Sequence, residues 1–296
     1  MANILAVGIA TLDIVNTLDD YPQEDTEVRA LSQRVSRGGN ATNTLVVLRQ
    51  LGHGTAWAGV WVDEPDGMRI HNDLVHQGVD LQFSRRLDHG KVPTSYILLN
   101  RRTGSRTIIH YRDLPEFGLE EFRTIPLEPF QWIHFEGRHV ADTLAMLHHA
   151  RRVAPRVRRS LEVEKPRPGI ESLWPYVDVL LFSPAYARGQ GLSPAALLHS
   201  VRQCAPQADL YCTAGAEGAV ALAPTGELLQ SPATAPEGVV DTLGAGDTFN
   251  AAVIDGYLRG LELGRLLNRA CAIAGVKVGR PGLDALPLGP WLNDGA

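Results

Sequence analysis

The chain has 296 residues, 44% hydrophobic and 21% charged, an ordinary globular composition far from that of a disordered chain. Its 28 Lys and Arg against 33 Asp and Glu leave a net charge of -5, which argues against a polyanionic nucleic-acid partner, and no apolar run approaches the roughly 20 residues of a membrane span. Cys204, Cys212 and Cys271 are odd in number and lack CxxC spacing, and the first residues lack a basic signal-peptide region and meet Asp13 early. The expectation is a soluble, cytoplasmic protein without disulfides.

Residues 4–9 form a short apolar run expected as a buried strand. The stretch 14–37 alternates loosely, as in Glu27-Val28-Arg29-Ala30-Leu31-Ser32, and reads as half-exposed strands until Gly38-Gly39-Asn40 breaks it. Ala41, Leu45 and Leu48 at helical spacing predict a helix closed by Gly52. Next come a strand over 55–62, a helix over 66–77 ended by Gly78, and a hairpin of 94–99 with 105–111. Strands are expected at 132–135, 160–163, 177–182 and 208–213, helices at 142–152 and 195–203, and a second hairpin at 219–230. Two helices, 246–259 and 264–279, precede a Pro/Gly-rich tail.

Strands alternating with helices imply an α/β fold with a mostly parallel sheet covered on both faces. The β-rich stretches 14–37 and 92–112 do not fit that layer and are expected to pair as a small sheet outside it. No linker divides the chain, so residues 1–296 read as one unit.

The sharpest feature is Asp241-Thr242-Leu243-Gly244-Ala245-Gly246-Asp247-Thr248-Phe249-Asn250, an apolar approach ending in a Gly-Ala-Gly turn that opens a helix. Backbone N–H groups converging at a helix N-terminus stabilise a phosphate or a developing oxyanion. Asp247 in the first turn is then placed to take a proton from an attacking hydroxyl. The plain alternative is a helix-capping aspartate. A Rossmann fingerprint fits poorly, since Phe249 stands at the third glycine position, and none of Lys91, Lys165 and Lys277 is followed by Ser or Thr, which excludes a P-loop.

The second feature is Arg37-Gly38-Gly39-Asn40-Ala41-Thr42-Asn43. Asn40 and Asn43, three apart, share a helix face, and two amides beside a glycine turn can grip several hydroxyls. Asn40 also suits a plain N-cap, and Asp13 is either a hydroxyl acceptor or an ordinary loop carboxylate. Other clusters have plainer readings. Arg151, Arg152, Arg156, Arg158 and Arg159 read as a solvated helix end, His148 and His149 as diverging neighbours, Trp57 and Trp61 as strand-packed core. Glu162 and Glu164 alternate at a strand end, suited to anchoring metal-bound water or to surface charge.

The Asp241–Asn250 segment resembles the C-terminal signature of the ribokinase-like (PfkB) carbohydrate kinases, and Gly38-Gly39-Asn40-Ala41 is similar to their N-terminal signature, in the family's order. Within the family, Asp20-Tyr21-Pro22-Gln23-Glu24-Asp25-Thr26-Glu27-Val28-Arg29, Trp132-Ile133-His134-Phe135-Glu136-Gly137-Arg138 and Glu162-Val163-Glu164-Lys165-Pro166-Arg167 resemble the ketohexokinase branch. That resemblance implies a three-layer α/β/α sandwich with a β-sheet lid, ATP and Mg²⁺ as cofactors, and a homodimer formed through the lid. It implies phosphorylation of a ketohexose, D-fructose to fructose 1-phosphate, with another sugar or nucleoside, or a silent sugar-binding protein, as alternatives. A nicotinamide-dependent oxidoreductase is a further alternative.

Carried over by position, the resemblance makes Asp247 the catalytic base and Asp13, Gly39, Asn40 and Asn43 the sugar contacts. Arg106, Gly244, Ala245 and Gly246 fall at the phosphate, and Gly215, Ala216, Glu217 and Gly218 at the nucleotide. The family's Asn-x-x-Glu motif is replaced by Ser183-Pro184-Ala185-Tyr186, so no metal ligand is assigned.

Overall fold

The computed structural model describes residues 1–234, 236 and 238–292. The end of the unit expected over 1–296 therefore lies outside the described residues. In chain order the strands are β1 (Asn3–Val7), β2 (Thr11–Leu18), β3 (Ser32–Gly38), β4 (Gly54–Ala58), β5 (Val60–Val62), β6 (Arg85–Leu87), β7 (Thr94–Asn100), β8 (Arg106–Tyr111), β9 (Trp132–Glu136), β10 (Arg158–Val163), β11 (Val179–Phe182), β12 (Asp209–Thr213), β13 (Ala219–Leu222) and β14 (Leu228–Ser231). The helices are α1 (Asn40–Gln50), α2 (Pro65–His76), α3 (Leu119–Phe122), α4 (Val140–Val153), α5 (Pro184–Gly189), α6 (Pro194–Arg202), α7 (Ala245–Leu258), α8 (Leu263–Val278) and α9 (Gly289–Leu292).

Eight strands form the central sheet in the order β14-β13-β12-β11-β10-β9-β1-β4, parallel from β4 to β12 and antiparallel through the β12–β13–β14 hairpins. Its middle strands are buried on both faces, as in a covered sheet: Leu5, Ile133, Leu161, Leu180 and Leu210 are all fully buried. α1, α7 and α8 pack against one another and the sheet, while α4, α5 and α6 form a second set, giving the expected three layers. α7 is buried nearly all round, and Gly256 lets Leu266 of α8 approach it closely.

The stretches 14–37 and 92–112 do pair outside that layer, in a four-stranded sheet of order β3-β2-β7-β8. β2 and β7 run parallel although separated by some 80 residues (Leu12 opposite Thr94), so no local turn fixes their register. Residues 21–31 form no strand, and the Glu27–Ser32 alternation therefore gives strand only from Ser32 onward. The strand expected over 55–62 is cut at Gly59 into β4 in the central sheet and β5, which pairs with β6. A Cβ at Gly59 would collide with the Trp57 ring, so the chain turns away there. α3, α5 and β6 carry too few residues for a periodic signal.

Candidate active site

The parallel strands deliver their carboxyl ends to one edge, where open α/β sheets place ligands. Glu136 ends β9, Glu162 lies near the end of β10, Ser183 follows β11 and Gly215 follows β12. The N-termini of α1 and α7 meet at the same edge.

α1 begins on a glycine pair that its surroundings demand. A Cβ at Gly38 would strike the Asp13 carboxylate, and Gly39, at φ 102°, lies against the Ile9 carbonyl. Gly39 is the N-cap and Asn40 the first helical residue, so the plain N-cap alternative for Asn40 does not hold. The terminus is instead satisfied by Glu136, whose Oε1 accepts the Ala41 N–H at 2.7 Å and whose Oε2 accepts the Ile9 N–H at 3.0 Å. Burial pushes this carboxyl up to about 7, opposed by Arg138 and the two backbone donors.

One turn on, Asn43 donates its Nδ2 to Asp247 Oδ2 at 2.7 Å, and its Oδ1 accepts from Arg37 Nη1 at 2.6 Å. Arg37, fixed by Asp73 at 2.7 Å, thereby turns the Asn43 amide with its N–H toward Asp247. Asn40 Nδ2 donates to Glu164 Oε2 at 3.3 Å.

α7 begins differently. Its N-cap is Gly244 in the left-handed region at φ 79°, and no side chain caps it. Asp247 is thus not a capping aspartate; it is buried and spends its carboxylate on Asn43. A Cβ at Gly246 would meet nothing within 4 Å, leaving clear approach to the first amides of the helix. Burial pushes the Asp247 carboxyl up to about 7, with the Asn43 hydrogen bond opposing and the charges of Glu164 and Glu136 adding. Glu162 is held well above its ordinary range by burial and by Asp247. Its Oε1 accepts from Asn250 Nδ2 at 3.1 Å, while its buried Oε2 has no partner among the described residues. The surface-charge alternative for Glu162 is therefore overturned; Glu164 is half-exposed beside Lys165.

The remaining expected residues fall around this junction or on its rim. Asp13 lies in β2, not in a loop; Thr11 Oγ1 donates to its Oδ1 at 2.8 Å, and burial raises its carboxyl. Arg106 begins β8 on the small sheet and donates Nη1 to Thr242 Oγ1 at 2.9 Å, two residues before Gly244. Gly215, Ala216 and Glu217 form a 3₁₀ turn after β12, and a Cβ at Gly218 would strike the Ser231 carbonyl. Ser183 N-caps α5, accepting from the Tyr186 N–H at 3.0 Å, so the Ser183–Tyr186 stretch has a structural use. No cluster of three or more His, Cys, Asp or Glu arranged for a metal occurs among the described residues.

Arg37, Glu136 and Asp241 escaped assignment from sequence. The available signals were an arginine directly before the glycine pair and a glutamate directly after the strand expected at 132–135. The arginine cluster also departs from expectation: Arg159 is buried in β10 and binds Asp178, while Arg158 covers the Tyr257 ring at 5.1 Å. Trp57 is core, and His148 and His149 diverge onto Tyr176 and Phe122. A concavity of about 410 Å³ beside Met1, His53 and Arg259 lies at the amino end of β1, away from this edge.

At the carboxyl edge of a three-layer sandwich, a buried acid thus lies beside a helix N-terminus that no side chain among the described residues caps. The family model of the pfkB family carbohydrate kinases matches residues 1–288, and the chain belongs to that family; it is a carbohydrate kinase. It is 41% identical to mouse ketohexokinase over 292 residues, covering 96% of this chain and 98% of that one. It is 26% identical to Bacillus subtilis ribokinase, over 95% of this chain and 96% of the relative. In structure it resembles a putative ribokinase from Agrobacterium tumefaciens, with a TM-score of 0.82 at 23% identity and coverage of 97% and 94%. It also resembles Arabidopsis thaliana ribokinase complexed with ribose and ATP, with a TM-score of 0.76 at 20% identity and coverage of 95% and 94%. No helix among the described residues is long and apolar enough to cross a membrane.

Proposed function

We propose that the protein transfers the γ-phosphoryl group of ATP to a ketohexose, D-fructose giving fructose 1-phosphate, with Asp247 as the general base. The observation that carries this reading is the Asn43–Asp247 contact of 2.7 Å between two helix N-termini, which holds a buried acid with a pKa of about 7 beside the uncapped start of α7. A base titrating near the working pH combines a useful ionised fraction with adequate driving force. Asn43 occupies Oδ2 and leaves Oδ1 to take the proton of the attacking hydroxyl.

Asp13, Gly39, Asn40 and Asn43 orient the sugar so that its hydroxymethyl group faces Asp247. The amides of Gly244, Ala245 and Gly246, with Arg106, stabilise the negative charge of the moving phosphoryl group. Gly215, Ala216, Glu217 and Gly218 border the nucleotide. The unpartnered Glu162 Oε2 and the neighbouring Glu164 suit a Mg²⁺ that keeps most of its waters, since Mg²⁺ is commonly held by one or two carboxylates together with substrate phosphates. Bound with ATP, that ion offsets phosphate charge. The small sheet serves as a lid over the sugar, and closure excludes water from the transfer.

The same sheet supports a homodimer. Every side chain of β8 is exposed, including Ile108, Ile109 and Tyr111, and an apolar edge strand of this kind is ordinarily covered. A cytoplasmic location is consistent with Cys204, Cys212 and Cys271 all being free.

The test is a panel of sugars and nucleosides with Mg-ATP, the phosphorylated carbon being assigned by NMR and the mass by light scattering. Fructose 1-phosphate from a dimer is the expected result. Phosphorylation of ribose or a nucleoside alone would replace the substrate, and a monomer would remove the clasp.

A further inference from the structure

Directly behind the Gly244-Ala245-Gly246 turn, α8 ends against the segment that leads into it. The Val278 carbonyl accepts the N–H groups of Val240 and Asp241, at 2.9 and 3.1 Å. One residue earlier in α8, Lys277 has no exposed surface, a state in which lysine is almost never found unless paired. Its Nζ donates to the Asp241 carbonyl at 2.8 Å and the Arg280 carbonyl at 3.1 Å, and lies 3.2 Å from Asp241 Oδ2. The three donors of the ammonium thus face three oxygens, two of them from one residue.

Asp241 in turn is saturated. Its Oδ1 accepts the Leu243 N–H at 2.9 Å, and its Oδ2 accepts the Gly282 N–H at 2.9 Å and Arg34 Nη2 at 3.0 Å. These contacts hold its carboxyl below the usual range despite burial. Burial pulls Lys277 below the ordinary lysine value, with Asp241 opposing. The last turn of a helix also favours a cation. Three carbonyl and carboxylate oxygens surround a buried positive centre. Here the cation is covalently attached, and it grips the backbone three residues before Gly244.

We propose that Lys277 is a positioning residue whose tethered ammonium fixes the Asp241–Leu243 backbone, and through it the amide turn at Gly244, Ala245 and Gly246, in the geometry that phosphoryl transfer requires. This rests on the reading of that turn as the phosphate-stabilising element. Lys277 itself touches no reacting atom. Arg34, on β3, reaches the same carboxylate from the small sheet, so the node joins α8, the turn and that sheet. With Lys277 neutralised, Asp241 keeps Arg34 but its carbonyl loses the ammonium, and the turn is free to shift. Displacement of catalytic groups by about 1 Å costs on the order of 100-fold in rate.

The experiment compares wild type with Lys277→Met, which fills the same space without charge, and Lys277→Ala, which removes the atoms that n-propylammonium would replace. The readouts are kcat and KM for sugar and ATP, thermal midpoint, and amide hydrogen exchange over residues 239–249. The expected result is about a 100-fold loss of kcat in Lys277→Met with the sugar KM within a few-fold of wild type. Amide exchange should be faster at 241–246 and unchanged in the interior of α7. In Lys277→Ala, propylammonium should restore at least about a tenth of the lost turnover, while tetramethylammonium, which has no N–H donor, should not.

Wild-type turnover together with wild-type exchange in Lys277→Met overturns the proposal. So does a loss confined to the thermal midpoint, or a turnover loss in Lys277→Ala that no alkylammonium relieves. Failure of the kinase reading itself registers separately, as absence of sugar phosphorylation by wild type. The exchange of residues 241–246 still decides the role of Lys277 in that event.

Discussion

The two helices that meet at the site begin in opposite ways. α1 starts on Gly39 without a side-chain cap, yet its terminus is filled by the Glu136 carboxylate, which also binds the Ile9 N–H. α7 starts on Gly244, also without a side-chain cap, and no carboxylate is offered to it; Asp247, in its own first turn, turns toward Asn43 instead. The same motif chemistry, a glycine at the N-cap, therefore serves two ends. One terminus uses an internal carboxylate to lock the segment that carries Asp13 and Asn40, and the other, on the proposed function, receives the anion of a ligand. The cost is a cluster of buried carboxylates, Glu136, Glu162 and Asp247, all raised above their ordinary range.

The strongest challenge to this contrast is Asp247→Asn. The amide keeps the acceptor for Asn43 but cannot take a proton, so turnover should fall by about 10²–10⁴-fold with ATP affinity nearly unchanged in calorimetry. Turnover near wild type would remove Asp247 from the base role and leave α7 as a binding element only.

Glu136→Gln probes the filled terminus. Only one oxygen remains for two backbone donors, and leaving one buried N–H without a partner costs about 1–3 kcal/mol. Denaturant unfolding should show that loss, with a raised sugar KM because Ala41, next to Asn40, and Ile9 lose their common anchor. An unchanged unfolding midpoint would mean that α1 is held by packing alone.

Glu162→Gln sharpens the electrostatic side. Burial and the Asp247 charge raise the Glu162 carboxyl well above its ordinary value, so it binds its proton more tightly folded than unfolded; the stability it contributes is complete below an unfolded value of about 4 and is lost as pH rises through the raised folded value. The variant should therefore gain thermal stability relative to wild type as the pH is raised, with the gap narrowing toward acid pH. A variant less stable than wild type at pH 8 would show that Glu162 is ionised and usefully paired.

Gly246→Ala carries the smallest stability effect. Space is open around Gly246, and alanine in a helix is favoured over glycine by about 0.5–1 kcal/mol, so the melting temperature should rise. Turnover should drop all the same, because the added methyl occupies the approach of the phosphoryl group. Unimpaired turnover would place the anion elsewhere.

Much of this was legible in the sequence, for stated reasons. Residues 41–52 and 66–78 carried helical spacing and a terminating glycine, and the hairpins at 94–111 and 219–230 joined adjacent segments, so local pattern alone specified them. The Gly38-Gly39 and Gly244-Ala245-Gly246 turns marked both helix starts. The break at Gly59 did not show, because it depends on the Trp57 ring folding back over it. Arg159 read as one of a solvated cluster because its partner Asp178 lies in the segment leading to the neighbouring strand.

The sequence by itself determined most of the longer strands and helices in their order, and the two glycine turns. Those follow from periodicity and backbone stereochemistry, which act over a few residues. Only the tertiary structure decided that Asn43 faces Asp247 across 204 positions of chain, that Glu136 rather than Asn40 satisfies α1, and that Lys277 braces Asp241. Each depends on which polar groups burial strips of water and brings within hydrogen-bond reach, and long-range packing sets that.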